Sequence, residues 1–481
     1  MTATTTPPPQ AVASARRRWS VLAVCCLSMF LVGLDTTIVN VGLPAIGRGL
    51  GAGLGALEWT VDAYTIVLAA LLISSGALAD RFGRRRVFRT GLVVFGVASL
   101  LCAVAPSVSW LLAARAVQGV GASMLSPVAL AIVVNTMPDP RERAQAIGVW
   151  ASVFGLSMAL GPVVGGALVA GLGWRALFWI NAPVIVIALV LTAVFVPESR
   201  GARAQRLDLP GQFLLCVIVA AGVGVLIEGP RIGWTSPLAL AAYAVLALAT
   251  AVFVRTESRA PEPLVDLRLF RGPLFRGAVV GAVAVFVALN VTLLLGTLYL
   301  QHGRGLSPLA AGAVTLPMAV GATVCAPWSG RLVGRHGATA PLAVAGIFLA
   351  AGGACLTGLD QRTDLRLLLT AYLLIGIGFG FANAPLTHTA VSGLPRERAG
   401  VAGAITSTAR QMGAALGIAV AGVLVAHADP AGLGVASRPG WAVVVCCGLL
   451  LLVLAGAARP RPAGPSATGA VGTRAEGGQA R

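Results

Sequence analysis

Long apolar runs, separated by short polar segments, follow one another from residue 19 to residue 458. A bilayer has a hydrocarbon core about 30 Å thick, which an α-helix of about 20 residues crosses at a rise of about 1.5 Å per residue. Fourteen runs meet this length, with boundaries good to about three residues. They cover approximately residues 19–42, 56–79, 88–106, 108–129, 145–170, 176–196, 210–229, 236–254, 277–300, 308–330, 339–359, 366–391, 399–425 and 440–458. The pattern predicts an all-α polytopic membrane protein with fourteen transmembrane helices, spans 1 to 14.

Two short patterns occur twice at nearly the same separation. G-A-L-A-D-R-F-G at residues 76–83 recurs in weaker form as G-R-L-V-G-R-H-G at 330–337, and R-E-R-A at 141–144 recurs at 396–399. Spans 1–6 and 9–14 are therefore predicted to form two six-helix bundles that are parallel repeats, with spans 7 and 8 as two inserted central helices. The expected domains are a disordered cytoplasmic tail (1–18), an N-terminal bundle (19–196), cytoplasmic connectors with the inserted spans (197–276), a C-terminal bundle (277–459) and a second disordered cytoplasmic tail (460–481).

The distribution of arginine predicts the orientation. All 35 basic residues are Arg, and with the N-terminus inside, the inner segments carry 26 of them and the outer loops 7, leaving Arg115 and Arg410 within spans. An excess of basic residues marks the cytoplasmic side, so both termini are expected in the cytoplasm. The net charge of +18 then faces anionic lipid, and no nucleic acid is needed to explain it.

Composition excludes several function classes. With 57% hydrophobic and 11% charged residues and a mean hydropathy of +0.87, the chain needs a lipid bilayer as its solvent. The absence of Lys excludes a phosphate-binding P-loop and hence an ATP-driven motor within the chain. The eight cysteines include no C-x-x-C pair, and the four histidines are scattered, so no metal site and no cofactor are expected.

Three ionisable side chains fall at one depth of the predicted membrane. Asp35, Asp62 and Arg115 each lie about 9–10 Å from the outer end of spans 1, 2 and 4, at about 1.5 Å per residue. Intramembrane charges are unfavourable and usually functional, so we expect Asp35 and Arg115 to pair and to couple transport to protons. The alternative is a static ion pair that joins span 1 to span 4. For Asp62, a second proton, a cationic substrate and simple contact with water at the outer mouth stay open.

The loop between spans 2 and 3 is predicted to be a conformational latch. Its glycines permit a tight turn, and its arginines can bridge to acidic groups or helix C-termini in one state and release them in another. A plain positively charged inner loop is the alternative. The second copy has Gly334 in place of the acidic residue, so its latch should be weaker. The latch residues are Gly76, Asp80, Arg81, Gly83, Arg84 and Arg85.

Span 5 contains G-P-V-V-G-G, with Gly161, Pro162, Gly165 and Gly166. Small residues on one face let helices pack closely, and a proline removes a backbone hydrogen bond and kinks its helix. This motif fits two alternatives. It has a role in the exchange between outward and inward states, or it serves ordinary small-residue packing. Four polar residues within spans are candidates for a substrate cavity: Gln118, Asn290, Asn383 and Arg410. Arg410 would hold an anionic group of a substrate or cap polar neighbours.

Four motifs in order resemble those of the major facilitator superfamily, in particular its fourteen-span drug:proton antiporters. They are L-D-T-T-I-V-N-V-G-L-P (34–44), G-A-L-A-D-R-F-G-R-R-R (76–86), R-A-V-Q-G-V-G-A (115–122) and G-P-V-V-G-G (161–166). One departure is Ser157, where that pattern has glycine. The resemblance implies a proton-driven exporter of drugs and antibiotics in the bacterial cytoplasmic membrane. It also implies a monomer that works by alternating access, with a small-molecule substrate, protons and lipid as partners and the proton gradient as energy source.

Two functions other than drug efflux stay open as alternatives. One is a proton-coupled exporter or symporter of a native metabolite, such as an amino acid or a siderophore. The other is a membrane receptor or enzyme, against which the chain offers no zinc motif, P-loop or nucleophile constellation.

Overall fold

The computed structural model describes residues 15–200, 208–260, 263–360, 362–392, 396–429 and 432–457, and all regular elements within them are helices. The long helices are α1 (Ala15–Leu50), α2 (Leu54–Phe82), α3 (Arg84–Ala103), α4 (Val108–Thr136), α5 (Pro140–Leu172), α6 (Ala176–Phe195), α7 (Leu209–Ile232), α8 (Pro237–Arg259), α9 (Pro273–Leu298), α10 (Pro308–His336), α11 (Thr339–Leu356), α12 (Leu365–Val391), α13 (Arg396–Val425) and α14 (Leu433–Ala457). A short 3-10 helix, Leu267–Arg271, precedes α9, and a π-helical turn, Tyr299–Gly303, follows it.

The predicted all-α membrane fold is confirmed. Thirteen of the described helices are long and apolar enough to cross a membrane. The remaining predicted span, span 5, lies on α5, whose 33 residues extend about 50 Å at about 1.5 Å per residue. Its apolar stretch among the described residues is Leu160–Leu172.

Helix α1 begins earlier than the sequence suggested. The predicted tail reached residue 18, but α1 is already helical at Ala15. An ion pair between Arg18 and Glu142, 3.1 Å long, joins the first turns of α1 and α5. Residues 1–14 and 458–481, which hold most of the two predicted tails, lie outside the described residues.

Helix α4 is broken where the sequence predicted a continuous span. It consists of two segments, Val108–Ser123 and Ser126–Thr136. The break lies beside Pro127, which has no N–H to donate to the carbonyl of Ser123 four residues earlier. The regular helix is therefore interrupted at residues 124 and 125, and it continues beyond the predicted end at residue 129.

The same pattern of helix pairing occurs twice, eight helices apart. In the first half α1 packs on α5, α2 on α4, and α3 on α4 and α6; in the second half α9 packs on α13, α10 on α12, and α11 on α12 and α14. Helix α7 packs against α2 and α13, and α8 packs mainly against α7. The halves meet along two seams, α2 with α13 and α5 with α10. The exact domain boundaries stay a prediction.

The two seams are packed most closely at one end. We call the face that carries the α1–α2, α5–α6 and α9–α10 loops the outer face, and the opposite face the inner face. Near the outer face a Cβ at Gly166 would overlap the carbonyl of Pro308, and a Cβ at Gly312 would overlap the carbonyl of Pro162. Towards the inner face, a Cβ at Gly76, Gly330, Gly334 or Gly403 would meet no atom within 4 Å. The halves are thus closed against each other at the outer face.

A shallow cavity of about 410 Å³ lies on the outer face above the closed seams. It is lined from both halves, by Arg48 and Leu57 of the first and by His302 and Val425 of the second. The cavity therefore lies where the outer ends of the two halves meet.

Candidate proton-coupling and transport site

The structure brings Asp35 of α1 and Arg115 of α4 into contact. Nη1 of Arg115 donates to Oδ2 of Asp35 across 2.6 Å, and both side chains are fully buried. This is the pairing that their common depth suggested. In the low dielectric of a membrane protein interior the attraction between such charges is strong, and separating them is correspondingly unfavourable.

The second carboxylate oxygen of Asp35 accepts from two amides. Gln118 Nε2 lies 2.9 Å and Asn181 Nδ2 3.3 Å from Oδ1. Asn181 also donates to Ser99 Oγ at 2.9 Å, and Ser99 in turn donates to the carbonyl of Phe178 at 2.9 Å. Both oxygens of the carboxylate therefore accept hydrogen bonds from donors of α4 and α6. This arrangement suits the ionised form, because hydrogen bonds to a charged acceptor are strong.

Arg115 is held by groups on three sides. Its Nε donates to the carbonyl of Thr60 at 3.0 Å, and its Nη1 also donates to Gln118 Oε1 at 2.8 Å. The guanidinium lies 4.3 Å from the ring centroid of Tyr64 and 5.9 Å from that of Phe178. Aromatic faces and two oxygen acceptors therefore surround the guanidinium in addition to the Asp35 carboxylate.

Asp62 does not join this network. It lies on α2 one turn after Glu58, and the two side chains are 0% and 3% exposed. Among the described residues, neither carboxylate oxygen of Asp62 nor Oε2 of Glu58 has a hydrogen-bond partner. Glu58 lies next to Gly422 of α13, and farther along the contact of α2 with α13 Thr408 Oγ1 donates to the carbonyl of Ala69 at 3.3 Å. Contact of Asp62 with water at the outer mouth does not occur in this conformation.

The predicted latch forms contacts within the first half. Asp80 Oδ1 accepts from Arg84 at 2.9 Å (Nη2) and 3.0 Å (Nε). Gly83 ends α2 with φ +109°, a conformation that glycine adopts without strain. The Arg81 guanidinium lies 5.3 Å from the neighbouring Phe82 ring centroid, and Gly76 borders open space.

Glu198, just after α6, closes this loop from the other side. Its Oε1 accepts from the backbone N–H of Arg85 at 3.1 Å, and the backbone N–H of Arg84 donates to the carbonyl of Ser199 at 2.8 Å. A carboxylate at the start of α3 satisfies a free amide and the positive end of the helix dipole. Sequence reasoning missed Glu198, because its contact is with a segment more than a hundred residues away.

The glycine motif of α5 lies between α1 and α10. A Cβ at Gly161 would overlap Thr37 Oγ1, and one at Gly165 would lie 2.8 Å from Ile38 Cγ1. Gly166 and Pro162 face α10, as described for the seam. Close backbone approach on both sides explains why these positions hold small residues.

The four cavity candidates are in different surroundings. Gln118 is engaged by Asp35 and Arg115, and buried Asn290 donates to the carbonyl of Phe286 on its own helix at 2.9 Å. Asn383 is half-buried on α12. Arg410 donates to Ser407 Oγ at 2.6 Å and approaches Thr387 Oγ1 at 3.4 Å. No carboxylate pairs with Arg410 among the described residues.

Asn181 and Ser99 are site residues that the sequence reading missed. Asn181 is a lone polar side chain near the outer end of the apolar run 176–196, so the depth argument used for the charged residues could have included it. Ser99 carries no such signal, because hydroxyls are common within membrane helices. Among the described residues, no group of three or more His, Cys, Asp or Glu side chains is arranged to hold a metal ion.

Comparison with known proteins finds a family model and many curated relatives. The model described as Major Facilitator Superfamily matches residues 25–418. The chain is 38% identical to Multidrug resistance protein Stp of Mycobacterium tuberculosis (strain CDC 1551 / Oshkosh), over 83% of this chain and 74% of the relative. It is 37% identical to the Tetracenomycin C resistance and export protein of Streptomyces glaucescens, over 85% of this chain and 76% of the relative. It is also 37% identical to the Puromycin resistance protein pur8 of Streptomyces alboniger, over 84% of this chain and 81% of the relative.

Proposed function

Because the chain belongs to the Major Facilitator Superfamily, we propose that it is a proton-driven secondary transporter that exports small amphipathic molecules by alternating access. The relatives are named for resistance to drugs and antibiotics, so the substrates are taken to be drugs of this kind. The observation that carries the proton coupling is the fully buried carboxylate of Asp35 in α1, held at 2.6 Å by Arg115 of α4. The proton gradient across the bacterial cytoplasmic membrane supplies the energy.

Asp35 couples the proton to the substrate by changing its charge. As an anion it holds α1 to α4 and α6 through Arg115, Gln118 and Asn181. A proton on Asp35 removes the charge that these donors solvate and releases the pair, so that the two protonation states favour different arrangements of the helices. A ligand with different affinities for those arrangements is then driven by the proton gradient.

Other parts of the molecule take supporting roles in this proposal. The loop between α2 and α3, with Asp80 and Arg84, controls the rate of exchange between states. The glycines of α5, from Gly161 to Gly166, let the seam with α10 close. Arg410 and Asn383 face the substrate in the second half, and Arg410 receives an anionic group where a substrate has one. A monomer suffices, because both halves of the pathway are in one chain.

In the proposed orientation both termini lie in the cytoplasm, and the inner face defined above is the cytoplasmic face. Support comes from the 26 arginines of the inner segments against 7 in the outer loops. Single cysteines introduced in the loop 138–143 and at Gly171 should react with a membrane-impermeant reagent from opposite sides of the membrane. Reaction of both from the same side would contradict the orientation.

Transport by purified protein in lipid vesicles tests the function. With an acidic interior, antiport predicts that puromycin or another relative's drug accumulates inside the vesicles. Collapse of the gradient with a protonophore should stop accumulation. Uptake that needs an acidic exterior instead would indicate symport, and absence of any gradient-dependent flux for a panel of drugs would contradict the proposal.

A further inference from the structure

The carboxylate of Glu58 fills a space at the outer end of the seam between the two halves. It belongs to the second turn of α2, and its partner across the seam is Gly422, close to the end of α13. A Cβ at Gly422 would overlap the Glu58 carboxylate. The missing side chain of Gly422 thus provides the room that Glu58 needs when the outer ends of α2 and α13 meet.

Among the ion pairs of the described residues, none includes Glu58. From its own helix it faces Asp62, another buried carboxylate without a hydrogen-bond partner among the described residues. From α7 it faces Glu228, which is already bound by Arg231 at 2.8 Å and by Trp59 Nε1 at 3.1 Å. Helix α13 has no ionisable residue between positions 411 and 425.

The remaining cationic side chains near this seam are engaged or lie elsewhere, and His427, two residues beyond the end of α13, is exposed. Arg115 is committed to Asp35. Arg48 and His302 line the cavity on the outer face, and Arg410 bonds to Ser407 farther towards the inner face. An ionised carboxylate buried without a partner is strongly destabilised, whereas its neutral form is tolerated. Closure of this seam and a negative charge on Glu58 therefore oppose each other.

We propose that Glu58 is a further proton-binding residue of this transporter, and that the outer ends of α2 and α13 close only when Glu58 carries a proton taken from the outer side. The inference rests on the proposed proton-driven function and adds an order of events to it. The proton binds while the outer face is open, and closure follows. Proton entry then precedes the transition towards the inner face, which prevents closure of an empty, unprotonated transporter.

The distance between the outer ends of the halves tests this directly. Spin labels at Ala52 and Ala426, both on the rim of the outer cavity, report that distance in a cysteine-free variant in lipid nanodiscs, without substrate or gradient. In the wild-type background the short distance should dominate at acidic pH and a longer one at alkaline pH. In an Asp62→Asn background, where the neighbouring buried carboxylate of α2 no longer titrates, the short distance should dominate throughout in Glu58→Gln, whereas Glu58→Asp should keep a pH-dependent change. Glu228→Gln removes a neighbouring carboxylate of α7 but leaves Glu58 in place, so the pH-dependent change should persist, with its midpoint at lower pH because one neighbouring negative charge is gone.

A variant that changes only the space available to the carboxylate provides a second, independent test if Glu58→Gln does not fold. Gly422→Ala leaves the charge in place but removes the space for the carboxylate, so the longer distance should persist even at acidic pH. Its control is Gly403→Ala on the same helix, where a Cβ meets no atom within 4 Å. Glu58→Ala combined with Gly422→Ala should restore the short distance.

Three results would overturn the proposal: no pH dependence in wild type, wild-type pH dependence in Glu58→Gln, or a Glu58→Gln variant that only loses transport of cationic drugs. The last would mean that the carboxylate contacts the substrate. Absence of gradient-driven flux in wild type, with the distance change and its loss in Glu58→Gln intact, would instead overturn the proposed transport function and leave the protonation-controlled seam standing.

Discussion

Nη1 of Arg115 lies 2.6 Å from Oδ2 of Asp35 at a point where neither side chain has any exposed surface. The pair joins α4 to α1 inside one half of the protein, and two amides complete the coordination of the carboxylate. Buried ion pairs add little net stability, but removal of one partner leaves an uncompensated charge. In the proposed mechanism the pair is a device with two protonation states rather than a structural clamp.

The coupling between these two residues predicts strongly non-additive effects on stability. Arg115→Leu alone should lower stability by about 3–5 kcal/mol, because it leaves Asp35 charged and without its cation. Asp35→Leu combined with Arg115→Leu should be clearly more stable than Arg115→Leu alone. Thermal unfolding in detergent, measured for the single and double variants, ranks their stabilities. Equal losses that simply add would show that the two side chains act independently.

The seam between α5 and α10 should not tolerate a methyl group at Gly166. Gly166→Ala places a Cβ against the backbone carbonyl of Pro308, and overpacking of this kind typically destabilises by about 1–3 kcal/mol. Since this contact belongs to the closed outer face, transport should fall while the protein stays folded. Gly171→Ala on the same helix is the control, because a Cβ there meets no atom within 4 Å. The initial rates of drug export are compared between the two variants. Equal rates would show that close packing of this seam is not needed for transport.

Asp80→Ala should slow transport of all substrates by a similar factor. The Asp80–Arg84 pair is partly exposed and near the inner face, and surface pairs contribute only about 0–1 kcal/mol to stability, so folding should be nearly unchanged. Binding affinity measured in detergent should also be unchanged. Gly334→Ala, at the counterpart position in the second half, should have little effect because it borders open space. A defect confined to some drugs, with altered affinity for them, would mean that this loop takes part in recognition.

Arg410→Gln should selectively impair export of drugs that carry a carboxylate or a phosphate. Arg410 bonds only to hydroxyls of Ser407 and Thr387 within the described part of the chain, and so it can bind an anion. Arg410→Lys keeps the charge and should retain part of the activity. Competition between anionic and neutral drugs for binding, compared in the two variants, measures the selectivity. An equal loss for neutral and anionic drugs would assign Arg410 a structural role.

Helix number, membrane location and the contact of Asp35 with Arg115 follow from the sequence, because apolar length and charge depth are local properties of each run. The break in α4 was missed because periodicity does not register a single proline within an apolar run. The contact between Glu58 and Gly422 could not be predicted, because it depends on how the folding of both halves brings α2 and α13 together. Asn181 joins the Asp35 network for the same reason: its orientation towards α1 is set by the packing of α6, not by neighbouring residues.

The central claim is that Asp35 carries the proton that drives export, and one variant separates this from a structural role. Asp35→Asn keeps the shape of the side chain and one of its two accepting oxygens, so the protein should remain folded and should still exchange labelled for unlabelled drug across vesicles without a gradient. Export against a drug gradient, driven by an imposed pH gradient, should fall to the level of protein-free vesicles. If Asp35→Asn still concentrates drug when driven by the pH gradient, the proton is carried elsewhere and the account is wrong.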